Sequence, residues 1–229
     1  MDNIQLIKTG DGSSSLLNVA LNETYHSTHG AIQESNHVFI KNGLQSLIEK
    51  NKYPSVFVFE VGFGTGLNAL LALLFARQNN IQINYTSIEA FPIDSEIASQ
   101  LNYPSLLSAD HAKNYFDQLH QAEWNKKIKI TDNFSLQKFK TTIQEFDFKA
   151  NQFDVIFFDA FAPAKQPEMW GLPILEKVIK ALKSNGVFVT YCAQGQLKRN
   201  LKSLNLIVES LPGPPGKREM VRAMKSQTA

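Results

Sequence analysis

A single cysteine, Cys192, occurs in the 229 residues, so no disulfide can close within the chain and no cysteine-based metal cluster exists. The expected compartment is reducing. Charge is also sparse: 19% of residues are charged against 43% hydrophobic, too little for a disordered chain and enough apolar material for a packed core. Long apolar runs are missing, since the longest, Ala69 to Ala76, falls far short of the ~20 residues that span a bilayer. The start, MDNIQLIKTGDGSSS, has neither the basic opening nor the apolar centre of a signal peptide. These absences predict a cytoplasmic protein with no membrane partner.

A net charge of +2 excludes polyanion binding through overall charge, but the charge is uneven. From Gln194 to Ala229 there are seven basic and two acidic residues, a local +5 that leaves −3 elsewhere. A local basic face can bind phosphate by counterion release; a solvated helix face is the equal alternative.

The length suits one α/β unit. Residues 1–54 read as an N-terminal extension packing on a core of 55–229. It contains a turn-rich start, the patch TYHSTHGAIQES, and a helix over about Asn42–Lys50. From Ser55 onward, β-rich runs alternate with helical patterns, which predicts a mostly parallel sheet with helices on both faces. Seven strands are expected, at Ser55–Val61, Tyr85–Ala90, Lys127–Thr131, Phe153–Phe158, Val187–Cys192, Leu206–Ser210 and Met220–Met224. Helices are expected at Leu67–Arg77, whose leucines repeat at helical spacing, and at about Glu168–Leu182, with a stop near Asn185-Gly186. Residues Asn102–Asn125 make a long connection of the kind that often carries function.

The strongest local signal is Glu60-Val61-Gly62-Phe63-Gly64-Thr65-Gly66-Leu67-Asn68, an acid at a strand end and three glycines before a helix. Glycines permit a tight turn and close ligand approach, and a helix N-terminus offers free N–H groups. A dinucleotide fingerprint would need glycine where Leu67 stands, and a phosphate-binding P-loop would need a Gly-Lys pair that is absent. The Glu-x-Gly-x-Gly-x-Gly spacing instead resembles the first motif of Rossmann-like methyltransferases, whose loop holds S-adenosylmethionine.

Glu89, at the end of the second strand, can accept from both ribose hydroxyls with its two oxygens. Asp132, after the third expected strand, is a candidate acceptor for an adenine amino group, although Thr-Asp-Asn is also ordinary turn chemistry. Asp159 follows the fourth strand, at the carboxyl edge where open α/β sheets bind ligands. His26, His29 and His37 have neither cysteine neighbours nor helical i, i+4 pairing, so polar or substrate-loop roles are expected and no metal. Tyr25, Phe161 and Trp170 are read as core or cofactor cover, with an amine cage as the alternative.

Together FEVGFGTGLNALLAL, IEAFPI, DAFAPAKQPEMW and GKREM resemble the methyltransferase domain of the tRNA 5-methylaminomethyl-2-thiouridine biosynthesis (MnmC) family, over roughly Thr24–Arg222. That resemblance implies a class I methyltransferase fold and S-adenosylmethionine as cofactor. It implies that Gly62, Gly64, Gly66 and Glu89 bind the cofactor and that Asp159 sits where methyl transfer occurs; with Glu60, Phe63, Thr65, Asn68 and Asp132, read from the loop and strand ends, these make the expected cofactor site, in which Asp159 is also catalytic. The implied reaction is methylation of the amine of 5-aminomethyl-(2-thio)uridine at the tRNA wobble position, with Lys165, Lys198, Arg199, Lys217 and Arg218 as candidate phosphate contacts. Bifunctional members carry a second, flavin-dependent domain, so the expectation is a stand-alone form and a separate enzyme that supplies the aminomethyl group. Two departures stand out: Ala160 where glycine is expected after the aspartate, and extra proline in LPGPPGKREM. Methylation of a small-molecule amine, non-catalytic cofactor binding and aminopropyl transfer remain open alternatives.

Overall fold

The apolar run Phe153–Phe158 is buried at every position and lies in the interior of the sheet, as unalternating parallel strands do. The computed structural model describes residues 3–49 and 53–226. Three short strands, β1 (Ile4–Lys8), β2 (Ser14–Asn18) and β3 (Glu23–Thr24), form an antiparallel sheet. A continuous helical run follows, composed of α1 (Ala31–Ser35), ten residues of wider π-type turns (Asn36–Gln45) and α2 (Ser46–Ile48). Its expected start at Asn42 is therefore too late, and its expected end, Lys50, lies outside the described residues. Gly43 brings this run close to the large sheet: a Cβ there would stand 3.0 Å from Phe157 and 3.1 Å from Val189.

The remaining elements are β4 (Ser55–Val61), α3 (Leu67–Asn79), β5 (Gln82–Glu89), α4 (Ser95–Ser99), α5 (Tyr103–Leu106), α6 (Ala112–Gln121), β6 (Lys127–Thr131) and β7 (Phe134–Lys140). After them come β8 (Phe153–Phe158), a 3-10 turn (Pro167–Trp170), α7 (Leu172–Ala181), β9 (Leu182–Thr190), α8 (Gly195–Ser203), β10 (Leu206–Pro212) and β11 (Glu219–Lys225). Strand order in the large sheet is β10-β11-β9-β8-β4-β5-β7-β6. The five strands from β9 to β7 pair in parallel, while β11 is antiparallel to both β9 and β10. Chain order reverses between β4 and β8, which opens a crevice at their carboxyl ends.

The sheet has eight strands, not seven, and the expected third strand is the extra one. Residues 127–131 form an antiparallel edge strand, joined by the Asp132-Asn133 turn to β7, which is the parallel neighbour of β5. Two further boundaries move. Helix α7 stops at Ala181, and Asn185-Gly186 belongs to an irregularity inside β9, where Asn185 takes a φ of 62° and a Cβ on Gly186 would meet the Lys183 carbonyl at 2.8 Å. The connection 102–125 folds as α5 and α6 and is tied to the N-terminal segment, since Asn102 accepts from Ser14 N–H (2.7 Å) and donates to the Gly12 carbonyl (3.0 Å).

Apolar cores fill both faces. One packs Phe39, Leu44, Leu70 and Phe116 against Tyr85, Val155 and Phe157. The other packs Leu175, Val178, Leu197 and a cluster around Phe59, Phe146 and Phe153 against Ile156, Phe158 and Phe188. Among the described residues no helix is long and apolar enough to cross a membrane.

Candidate active site

The glycine loop turns sharply as β4 ends. Gly62 and Phe63 both donate their N–H groups to the Ile88 carbonyl (3.0 and 3.1 Å), and Gly62, Gly64 and Gly66 have φ of 88°, 49° and 74°. Those angles favour glycine, and space demands it as well. A Cβ would stand 3.0 Å from the Asp159 carbonyl at Gly62, 3.3 Å from the Tyr25 ring at Gly64 and 2.9 Å from His120 Nε2 at Gly66. The loop is braced from below: His120 Nε2–H donates to the Thr65 carbonyl (3.1 Å), and His26 Nε2 shares a 2.7 Å hydrogen bond with Thr65 Oγ1. Buried Lys138 donates to the carbonyls of Leu119 and His120 at the end of α6 and lies 4.8 Å from the Phe63 ring. Burial pushes the pKa of His26 and of His120 down to about 4, so both imidazoles are neutral.

The loop borders a cavity of about 850 Å³. Glu89 lies on its wall, with Oε2 accepting from Gly64 N–H and Oε1 from Phe91 N–H, both at 2.9 Å. Each oxygen keeps a second lone pair for a ligand hydroxyl. Asp159 lies at the foot of β8, where Asn68 Nδ2 donates to its Oδ2 (2.8 Å). Burial and the nearby Glu34 charge raise the Asp159 pKa to about 7, against the pull of Asn68 and Lys217. Tyr25 and Phe161 meet edge to face at 5.1 Å beside it.

Of the expected cofactor residues, Gly62, Phe63, Gly64, Thr65, Asn68, Glu89 and Asp159 line the cavity. Gly66 begins α3 directly behind them. Two do not line it. Asp132 is fully exposed in the β6–β7 turn, paired with Lys129 and hydrogen-bonded to nothing near the loop, because the strand before it runs the other way. The carboxyl end of the true third strand, β7, brings Thr141, Thr142 and Gln144 to the cavity instead. Glu60 is completely buried beneath the loop, where its Oε2 accepts from Ser87 Oγ (2.7 Å). Burial pushes its pKa up to about 8, opposed by the Ser87 bond and supported by the Asp159 charge.

Glu60 is therefore protonated when folded at neutral pH. A carboxyl whose pKa rises from 4.5 to about 8 on folding contributes stability below 4.5 that is lost progressively as pH climbs to 8. Glu60→Gln is expected to flatten that decline and to raise Tm at pH 8.5 by several degrees, at about 2–4 °C per kcal/mol for a chain of this size. Calorimetric melts from pH 5 to 9 check it; a parallel decline in both proteins would overturn the buried neutral acid.

Trp170 is buried on Phe158 and donates from Nε1 to the Phe161 carbonyl (2.8 Å), so it is a core residue that props the loop. His37 bonds the Pro212 carbonyl at 2.8 Å, while His29 reaches the cavity beside Gly216. The basic candidates divide. Lys217 lines the cavity and pairs with Glu34, and Lys198 pairs with Glu219; Arg199 and Arg218 are exposed, and Lys165 is partly so. Glu34, Tyr191 and Phe91 also line the cavity and were not among the expected site residues. Phe91, 79% exposed on the rim right after Glu89, had a readable signal in its position alone.

A family model for S-adenosyl-L-methionine-dependent methyltransferases matches residues 107–226, more than half of the chain. The chain belongs to that family. Its methyl donor is accordingly S-adenosylmethionine, and the glycine cradle, the ligand-facing lone pairs of Glu89 and the cavity fit such a molecule. The chain is also similar to the tRNA 5-methylaminomethyl-2-thiouridine biosynthesis bifunctional protein MnmC of Campylobacter hominis, at 28% identity over 91% of this chain and 31% of that protein. The protein of the same name from Marinomonas sp. is 28% identical over 90% of this chain and 32% of its own length. The chain thus spans about a third of the length of these curated relatives. The crystal structure of MNMC2 from Aquifex aeolicus superimposes with a TM-score of 0.78 at 24% identity, covering 100% of this chain and 71% of that one, and shows the shared methyltransferase fold.

Proposed function

We propose that this methyltransferase acts on the amine of 5-aminomethyl-(2-thio)uridine at the tRNA wobble position, yielding 5-methylaminomethyl-(2-thio)uridine. The observation that carries the reading is Asp159, held by Asn68 at the cavity wall beside the glycine loop, with a pKa near neutrality. The substrate is carried over from the similar proteins, which serve tRNA 5-methylaminomethyl-2-thiouridine biosynthesis. An alkyl amine with a free pKa of about 10.4 is mostly protonated at pH 7 and has no lone pair to attack with. A carboxylate poised near 7 can take that proton and orient the neutral amine. S-adenosylmethionine supplies an electrophilic methyl on a sulfonium.

The assigned roles follow from position. Gly62, Gly64 and Gly66 admit the donor to the backbone, Glu89 accepts from its ribose, Phe91 covers its adenine, and Thr141 and Thr142 take the place first given to Asp132. Six carboxylates line the cavity (Glu23, Glu34, Glu89, Asp94, Asp159 and Glu168) against one lysine, Lys217. That balance favours cations inside and keeps phosphates at the rim. A wobble base in a single-stranded loop can be splayed into such a cavity without breaking a duplex. Residues 3–49 of the N-terminal extension act as a fixed wall of the same unit, a separate enzyme provides the aminomethyl group, and the work is cytoplasmic.

The direct test incubates the protein and labelled S-adenosylmethionine with tRNA from cells that lack the modification, followed by digestion and identification of the nucleoside. Label in 5-methylaminomethyl-(2-thio)uridine is expected; label only on added free amines would replace tRNA with a small-molecule substrate. Phosphate contact is assigned to the exposed Arg199 and Arg218, with Lys165. The double variant Arg199→Glu/Arg218→Glu is expected to weaken tRNA binding and to lower the slope of log K against log salt by about one or two, with donor binding unchanged. An unchanged slope in filter binding would remove this face.

A further inference from the structure

Lys217 and Glu34 are 183 positions apart in sequence yet meet within the cavity wall, with Nζ 2.5 Å from Oε1. The Glu34 side chain is 6% exposed, and its other oxygen accepts from Ser27 N–H (2.7 Å). Lys217 Nζ also stands 3.8 Å from the centre of the Tyr191 ring, whose hydroxyl donates to the carbonyl of Ala160, the residue after Asp159 (2.8 Å). The loop that carries Lys217 cannot shift freely, because Gly216 is pressed against His29 so closely that a Cβ would overlap the imidazole. Three remote segments thus lock around one carboxylate.

We infer that Glu34 and Lys217 form a charge-balancing pair that positions the proton-accepting state of Asp159, with Tyr191 as the platform that holds the lysine in place. The proposal rests on the amine-methylation reading for its purpose and on the geometry for its existence. Asn68 of α3 donates to Asp159, Glu34 of α1, Tyr191 after β9 and Lys217 before β11 line the same cavity wall, and Glu60 of β4 and Tyr85 of β5 are within electrostatic reach of Asp159. Glu60 is protonated, and burial raises both tyrosines above their ordinary range, so the Glu34–Lys217 ion pair supplies the two opposite charges in this set. Glu34 pushes the Asp159 pKa up and Lys217 pulls it down. With both present, Asp159 stays close to neutrality, able to accept one proton from the substrate ammonium and return it to water after transfer.

The consequence is a pair of shifts with opposite signs, which a merely structural contact does not produce. The protein with ¹³Cγ-labelled aspartate, free of donor and tRNA, is titrated by NMR, with Asp159→Asn identifying the resonance. The wild-type midpoint is expected near 7. Glu34→Gln, which leaves the lysine unopposed, is expected to lower it by about one unit or more, and Lys217→Met, which leaves the glutamate unopposed, to raise it by as much. Lys217→Arg is expected to restore the wild-type value.

The double variant Glu34→Gln/Lys217→Met removes both charges at nearly constant volume and is expected within about half a unit of wild type. It folds without a lone buried charge and so decides the matter even if a single variant is unstable. Single variants that move together or not at all, or a double variant displaced by a full unit, would overturn the pair's role. If the midpoints move as stated while wild-type protein leaves aminomethyluridine unmethylated, the amine reading fails and the charge pair stands.

Discussion

Replacing Glu89 by alanine is expected to weaken S-adenosylmethionine binding at least tenfold in a protein that remains folded. Two losses combine. The proposed ribose contacts are charge-assisted hydrogen bonds, worth about 1.5–3 kcal/mol each, and about 1.4 kcal/mol is a factor of ten in affinity. The same carboxylate accepts from Gly64 N–H and Phe91 N–H, so alanine also releases the glycine loop and the aromatic rim. Glu89→Gln separates the two effects. Its amide offers one acceptor where two are needed, so either Gly64 or Phe91 faces an NH₂ group. Titration calorimetry reads the result directly, and an unaltered Kd for the alanine variant, with an intact near-ultraviolet circular dichroism spectrum, would take Glu89 out of the site.

The second large effect concerns Asp159. Asn keeps its shape and loses its charge, so Asp159→Asn is expected to bind donor and tRNA and yet turn over at least about tenfold more slowly, equivalent to about 1.4 kcal/mol in the barrier. The pH dependence carries the sign. Because the acceptor must be ionised, single-turnover rates in the wild type are expected to climb through pH 7 and level off above it, as its raised pKa requires. The asparagine variant is expected to lack that limb. Stability moves the other way: a carboxyl raised from 3.8 to about 7 on folding loses stability as pH rises across that window, so the variant should be no less stable than wild type at pH 8. Near-normal single-turnover rates with saturating ligands would make Asp159 a turn residue.

Local chemistry was legible in the sequence. The strand Ser55–Val61, the three glycines and the buried run Phe153–Phe158 depend on neighbours within a few residues, and the structure has them at the expected boundaries. The third strand failed for a specific reason. KIKIT and FSLQKFK both alternate, and only the two-residue turn between them betrays a hairpin in which one strand runs against the sheet. Choosing the first carried Asp132 to the edge opposite the cavity. Glu60 failed differently: an acid next to a glycine loop reads as a ligand contact, yet strand alternation turns it into the core beneath. Glu34 and Tyr191 were out of reach altogether, since their roles come from partners far along the chain. The C-terminal basic excess is reduced in the same way, because Lys198, Lys217 and Arg222 pair with Glu219, Glu34 and Glu209, partners that lie beyond the reach of local sequence reading.

The insertion of β11 between β9 and β10 has a bearing on the order in which the molecule can be built. β10 is made earlier but its backbone pairs in the sheet only with β11, so it has no strand partner until residues 219–225 arrive. During synthesis the apolar edge of β9 therefore stays uncovered after every other parallel strand is in place, a template for mispairing with other chains. The strand that covers this edge, β11, is preceded directly by the loop bearing Lys217, so closing the sheet and completing the cavity wall are one late step, and a nascent chain cannot become competent for transfer before it is protected from aggregation.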